Sequence, residues 1–215
     1  MNEILALSGF ANSPLTLLGL PTTPLELAGF VLAVLTVLLN IYQQHWAWLF
    51  AILSSAVYAL VFYASRLYGD MGLQLVFIAV SVWGWYQWLR PGLADAQQLP
   101  VTQLNRHGRF WSLLGWGVAY GALWWFLAHC TDTDVPRTDA FLTAGSLLGQ
   151  VLLSRKKIEN WHVWIIVDVL YVALYLHKHL VLTAILYAVF VGMAVIGLRA
   201  WSGDSGTGGR RLVME

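Results

Sequence analysis

A chain of 215 residues that is 59% hydrophobic and only 11% charged is excluded from the soluble globular class, because soluble domains carry about a quarter charged residues and cannot keep so much apolar surface from water. The net charge of +1 does not point to nucleic acid, and with basic residues scattered through short loops no nucleic-acid partner is expected. Cys130 is the single cysteine, so an intrachain disulfide and any multi-cysteine metal or iron-sulfur site are excluded too, and no cofactor is expected.

Residues 1–23 contain Glu3 and the interruptions Pro14, Gly19 and Pro21, with no basic n-region. They read as an extracytoplasmic segment, either an interfacial helix over 2–19 or a frayed tail, and not as a cleaved leader. Seven apolar runs follow, near 25–41, 46–64, 71–89, 110–129, 138–154, 161–177 and 180–200, each close to the roughly 20 residues that cross a hydrocarbon core. Residues 202–215, "SGDSGTGGRRLVME" after Trp201, are glycine-rich and read as a disordered tail.

Seven spans place Arg90, Arg106, Arg109, Arg155, Lys156, Lys157, Arg199, Arg210 and Arg211 on one side of the membrane and Arg66, Arg137 and Lys178 on the other. This asymmetry puts the N-terminus outside and the C-terminus in the cytoplasm. Sliding the chain along itself by 113 residues lays Trp48 on Trp161, Tyr58 on Tyr171, Phe77 on Phe190, Gly84 on Gly197 and Trp88 on Trp201, with 12 of 65 aligned positions identical. Matches of tryptophan, tyrosine and glycine outweigh chance pairings of leucine and valine.

The expected fold is therefore an all-α integral membrane protein. It has a first three-helix repeat at 24–90, a loop and linker helix at 91–136 and a second three-helix repeat at 137–201. Three spans is an odd number, so the linker helix is what brings the second repeat in with the orientation of the first. This 3+1+3 arrangement is that of the SWEET sugar transporters.

Polar residues then fall into stripes. On the second span Ser55 and Tyr58 are the repeat partners of Asp168 and Tyr171. On the third, Gln74, Ser81, Trp85 and Trp88 lie within about 60° of one another at about 100° per residue. On the fifth, Thr143, Gln150 and Ser154 share a side. On the sixth, "ENWHVWIIVDVLY" runs from 159 to 171 and, with Tyr175, brings Asn160, Trp164, Asp168, Tyr171 and Tyr175 into a sector of about 80°. Val163, Ile166, Val169 and Val172 take the opposite side.

An ionised carboxylate at mid-membrane costs roughly 2.5 to 3.5 kcal/mol on insertion scales, so Asp168 is expected to face a wet cavity or a partner. The plainer alternatives are a hydrogen bond from Asp168 to a neighbouring helix, Gln74 and Gln150 gluing helices together, and Trp161 and Trp164 in an interfacial belt. Rings beside amides and an acid suit a ligand with an aromatic, even cationic, part and hydroxyl groups.

The run at 159–171, with "GLQLVFIAVSVWGWYQW" at 72–88, resembles the PnuC family of bacterial vitamin transporters, specifically the nicotinamide riboside (vitamin B3) transporters. The spacing N-W-x-x-W-x-x-x-D is met by Asn160, Trp161, Trp164 and Asp168. The resemblance implies uptake of nicotinamide riboside across the bacterial inner membrane by facilitated diffusion, with trapping by a cytoplasmic kinase for NAD biosynthesis. It implies contact of Asn160 and Trp164 with substrate, Gln74 as a helper, and homo-oligomers, trimers among them. With Asp168, Tyr171, Trp161, Tyr58, Trp85 and Gln150, these form the expected substrate site, alongside membrane lipid as the other partner.

Relatives that carry thiamine or riboflavin keep that vitamin choice open, and Asp168 keeps proton-coupled symport open. A membrane-embedded enzyme is disfavoured: no H-E-x-x-H pair, G-x-S-x-G elbow or P-loop occurs, and the histidines have no metal-ligand spacing. A retinal protein needs a lysine in the last span, and 180–200 has none.

Overall fold

The computed structural model describes residues 15–17, 20–64, 68–89, 99–131, 133, 135–177 and 181–211. Strands β1 (Leu15–Leu17) and β2 (Leu20–Thr22) form an antiparallel pair with Leu15 opposite Thr22. Residues 15–17 are thus extended where an interfacial helix over 2–19 was one expectation; prolines at 14 and 21 withhold the backbone donors a helix would need. Residues 1–14, 18 and 19 lie outside the described residues.

Seven helices follow among the described residues: α1 (Pro24–Ile41), α2 (Ala47–Ala64), α3 (Tyr68–Leu89), α4 (Arg106–Cys130), α5 (Pro136–Ser154), α6 (Glu159–His177) and α7 (Val181–Arg211). Each coincides with an expected span. Helix α4 starts four residues before its apolar run because Asn105 caps it, its side-chain oxygen accepting from the Gly108 amide at 2.7 Å. Helix α7 continues to Arg211, into the 202–215 stretch expected to be a disordered tail, and residues 212–215 lie outside the described residues. A helix already nucleated in the membrane adds residues without a new nucleation cost.

Helices α1, α2 and α3 pack in succession, as do α5, α6 and α7, and the two sets join through α3 against α5 and α7 against α1. The result is a closed ring of six helices. Helix α4 leans on α5 from outside, and none of its residues is buried. By length and apolarity alone, α4 and the Ala184–Gly203 part of α7 are sufficient to cross a membrane. The ring helices put their polar residues inside and turn Val31, Leu60, Val76, Ile166, Val169 and Ile196 outward. A surface of that kind is stable only in lipid, and the protein is an integral membrane protein of two like-oriented three-helix repeats around a linker helix.

The 113-residue repeat appears in the coordinates contact by contact. The turn after α1 and the turn after α5 both use a residue of positive φ, Gln43 at 54° and Lys156 at 48°. Their backbone bonds correspond: Gln44 donates to the Leu39 carbonyl at 2.8 Å and Lys157 to the Leu152 carbonyl at 2.9 Å. Trp88 of α3 donates its indole N–H to the Ser154 carbonyl at 3.1 Å, and Trp201 of α7 donates to the Ile41 carbonyl at 3.2 Å.

Each donor ring meets a tryptophan edge-on, Trp48 against Trp88 at 5.4 Å and Trp161 against Trp201 at 5.3 Å. Between the halves Trp88 and Trp201 themselves approach to 6.3 Å. Lys156 extends its ammonium over the Trp88 ring, 4.6 Å from the centroid, and donates to Gln43 Oε1 at 3.2 Å. Since Gln43 is the repeat partner of Lys156 and Trp88 of Trp201, both contacts lie on the pseudo-twofold axis.

Glycine makes the edge-on packing achievable. A Cβ on Gly84 would sit 2.4 Å from the Trp48 ring, and one on Gly197 would sit 2.6 Å from the Trp161 ring. Gly84→Ala and Gly197→Ala are each expected to lower stability by about 1 to 3 kcal/mol. Gly72→Ala, where a Cβ meets nothing within 4 Å, should not lower it. Thermal melting of the detergent-purified variants reads the difference.

Candidate functional site

The expected inner faces are inner faces. On α6, Asn160 is fully buried and Asp168 is 5% exposed, while Ile166 and Val169 on the other side are about half exposed. On α3, Ser81 and Trp88 are buried and Leu75, Val76 and Val82 look outward. Asp168 is the central residue of Glu159–His177, so the helix carries its acid half-way along its length.

At the basic end, the Asn160 amide donates from Nδ2 to the Lys157 carbonyl at 2.6 Å, which ties α6 to the turn before it. Its Oδ1 is buried and accepts no hydrogen bond from the protein. Trp85 Nε1 is likewise buried without an acceptor. Trp85 and Trp164 border the same tryptophan-rich core, and Trp164 packs against Gly149, where an added Cβ would come within 2.9 Å of its ring. An aromatic side chain is thereby held against α5 with its position set by backbone contact.

One turn deeper, Gln150 of α5 donates from Nε2 to Ser81 Oγ of α3 at 3.2 Å, across the seam between the two repeats. The repeat-related seam pairs Val37 with Ala194 and has no such bond. Beyond it comes a group of phenols: Tyr171 stands 4.6 Å from Tyr187 and 5.7 Å from Tyr175, ring centre to ring centre, and Tyr175 is 5.2 Å from Tyr187. Ser146 of α5 is buried, and its hydroxyl donates to the Leu142 carbonyl at 2.9 Å.

Asp168 is near enough to Tyr171 and Tyr187 to interact electrostatically with both, and Tyr58 of the first repeat reaches Tyr187 in the same way. Tyr58 packs against α1, its ring 3.0 Å from a Cβ built on Gly29. Both halves of the molecule therefore contribute to one band of amide, indole, carboxyl and phenol groups.

Not every expected residue joins this band. Trp161, 2% exposed, is wedged between Gly197 and Trp201 in the end cluster. Gln74 is half-buried on the inner face of α3. Tyr187 was not among the expected site residues, although the repeat pointed to it as the partner of Gln74. Ser54 is buried and donates to the Gly29 carbonyl at 3.5 Å, and its neighbour Ser55 is half-buried. Two open cavities, of about 440 and 590 Å³, are lined by other residues: the smaller by Arg109, Glu159 and His162, the larger between α4 and α5.

Residues 23–203 match the model of a family described as nicotinamide mononucleotide transporter. The chain belongs to that family. It is a membrane transporter and not an enzyme. Its relatives include a riboflavin/roseoflavin transporter, RibM, of Streptomyces davaonensis, 28% identical over 82% of this chain and 83% of the relative. The nicotinamide riboside transporter PnuC of Escherichia coli is 22% identical over 88% of this chain and 89% of its own. A crystal structure of the vitamin B3 transporter PnuC has the same fold, with a TM-score of 0.66 at 22% identity over 94% of this chain and 86% of that one.

The bond across the seam offers a direct test. Ser81→Ala leaves the buried Gln150 amide without its acceptor and is expected to cost about 1 to 3 kcal/mol in stability. The double variant Ser81→Ala with Gln150→Leu should recover part of that loss, since removing both partners approaches neutrality. Melting temperatures of the single and double variants compare the two.

Proposed function

We propose that this transporter takes up nicotinamide riboside across the bacterial inner membrane by facilitated diffusion, with the gradient maintained by phosphorylation in the cytoplasm. The observation that carries the reading is the buried band itself. A carboxamide needs one acceptor and one donor, and Asn160 Oδ1 and Trp85 Nε1 are a buried acceptor and a buried donor that bond to no protein group. The flat face of Trp164 suits a pyridinium ring, and Asp168, once ionised, balances its positive charge. Gln74, Gln150 and the phenols of Tyr58 and Tyr171 then serve the ribose hydroxyls. Both carbonyl clasps and the basic turns lie at the end assigned to the cytoplasm by the charge asymmetry.

A second reading, riboflavin as substrate, is favoured by the 28% identity to RibM. An isoalloxazine also presents an imide donor and acceptors to the same groups, but it is neutral and larger, and gives the acid at the centre of α6 no charge to balance.

Calorimetric titration of the detergent-purified protein with nicotinamide riboside, thiamine and riboflavin separates these readings: heat of binding is expected with the first alone. Trp164→Ala and Asn160→Ala should each weaken that binding by at least about tenfold, and Val163→Ala should not; equal losses at all three positions would remove this face as the site. In proteoliposomes, uptake should be indifferent to an imposed proton gradient. An acceleration that disappears in Asp168→Asn would establish symport instead.

A further inference from the structure

The larger cavity is a groove between α4 and α5 of about 590 Å³, separate from the inner band. Its mouth lies at the basic end, where His107, Ser112 and Arg155 line it beside the capped start of α4. From there it runs between Gly115 and Ala119 of α4 and Ala144 and Leu148 of α5. Trp116 forms part of the lining, its indole N–H donating to the Phe141 carbonyl of α5 at 3.4 Å, which pins the two helices together. Small residues on both helices keep the groove open: a Cβ built on Gly115 meets nothing within 4 Å.

The dimensions and the charge of the groove match one kind of molecule. His107 to Ala119 and Ala144 to Arg155 each rise about 16 to 18 Å along their helices, close to the ~15 Å depth of hydrocarbon in one leaflet. Cationic Arg155 and the first amides of α4, those that Asn105 does not cap, favour an anion at the mouth. Arg155 is exposed and held in place by the Trp83 ring, 5.5 Å from its guanidinium carbon.

We propose that the α4–α5 groove holds one anionic phospholipid from the leaflet at the basic end, its phosphate at Arg155 and His107 and an acyl chain alongside Gly115 and Ala144. The bound lipid fills the gap that a lone linker helix leaves against the second repeat and so fixes the angle at which α4 meets α5.

Native mass spectrometry of the detergent-purified protein tests this with added palmitoyl-oleoyl phosphatidylglycerol or the phosphatidylcholine of the same chains. Retention of one phosphatidylglycerol per chain, in preference to phosphatidylcholine, is expected. Arg155→Gln should reduce phosphatidylglycerol retention about fivefold, as expected for one basic residue near the headgroup, and leave phosphatidylcholine unchanged. Gly115→Phe, which fills the groove where space is open, should abolish retention of both; unchanged melting temperatures show that the variants fold. Equal retention of the two lipids, or retention untouched by either substitution, overturns the proposal. So does a Gly115→Phe variant that dissociates an oligomer while keeping its lipid, because the groove would then be a seam between copies of the chain.

Discussion

The clasp of an indole N–H on a helix-terminal carbonyl is the contact on which the rest of the arrangement depends. The last carbonyls of α1 and α5 have no partner within their own helices. Trp201 and Trp88 supply those partners from the opposite repeat, and in doing so set α7 against α1 and α3 against α5. Each bond is worth about 1 kcal/mol, and each edge-on tryptophan pair behind it adds about as much again. Their larger effect is on register. With α3 docked on α5 in this way, Ser81 comes level with Gln150, and the stripes on α3, α5 and α6 face one another instead of lipid.

A near-symmetric frame carries an asymmetric lining. Gly84 and Gly197, Trp48 and Trp161, Gln43 and Lys156 do the same work in both halves. Along the inner faces Tyr58 and Tyr171 still correspond, but Asn160 answers to Ala47, Trp164 to Ala51, Asp168 to Ser55 and Gln150 to Val37. The amide-to-hydroxyl bond therefore exists at only one of the two seams, and the indole, carboxyl and amide groups crowd toward the second repeat.

Helix α4 stands outside that frame and has a topological task. Its presence returns the chain to the side of the membrane from which the first repeat began. The segment leading into it is anchored to the second repeat: Thr102 pairs through its backbone with Lys156 and Ile158, and Glu159 accepts from the Leu104 amide at 3.0 Å while meeting Arg109 at 3.4 Å. Glu159, at the first turn of α6, thus connects the linker to the helix that carries Asn160 and Asp168. With no buried residue of its own, α4 relies on lipid and on α5 for its position.

The sequence alone determined the class, the seven spans, the repeat and the inner face of α6, because each is written in local terms: runs of apolar residues, a period of 3.6 and identities at a constant offset. Membership of the family was legible for the same reason, in the spacing of Asn160, Trp161, Trp164 and Asp168. Only the tertiary structure decided which of these side chains stand together. Trp161 left the band because a glycine on α7 opens a slot for its ring, Tyr187 entered it because α7 packs beside α6, and Lys156, counted as one more loop charge, lies buried on a tryptophan at the axis. Those outcomes depend on which helices touch, and contacts between residues of different helices leave no periodic trace in the chain that makes them.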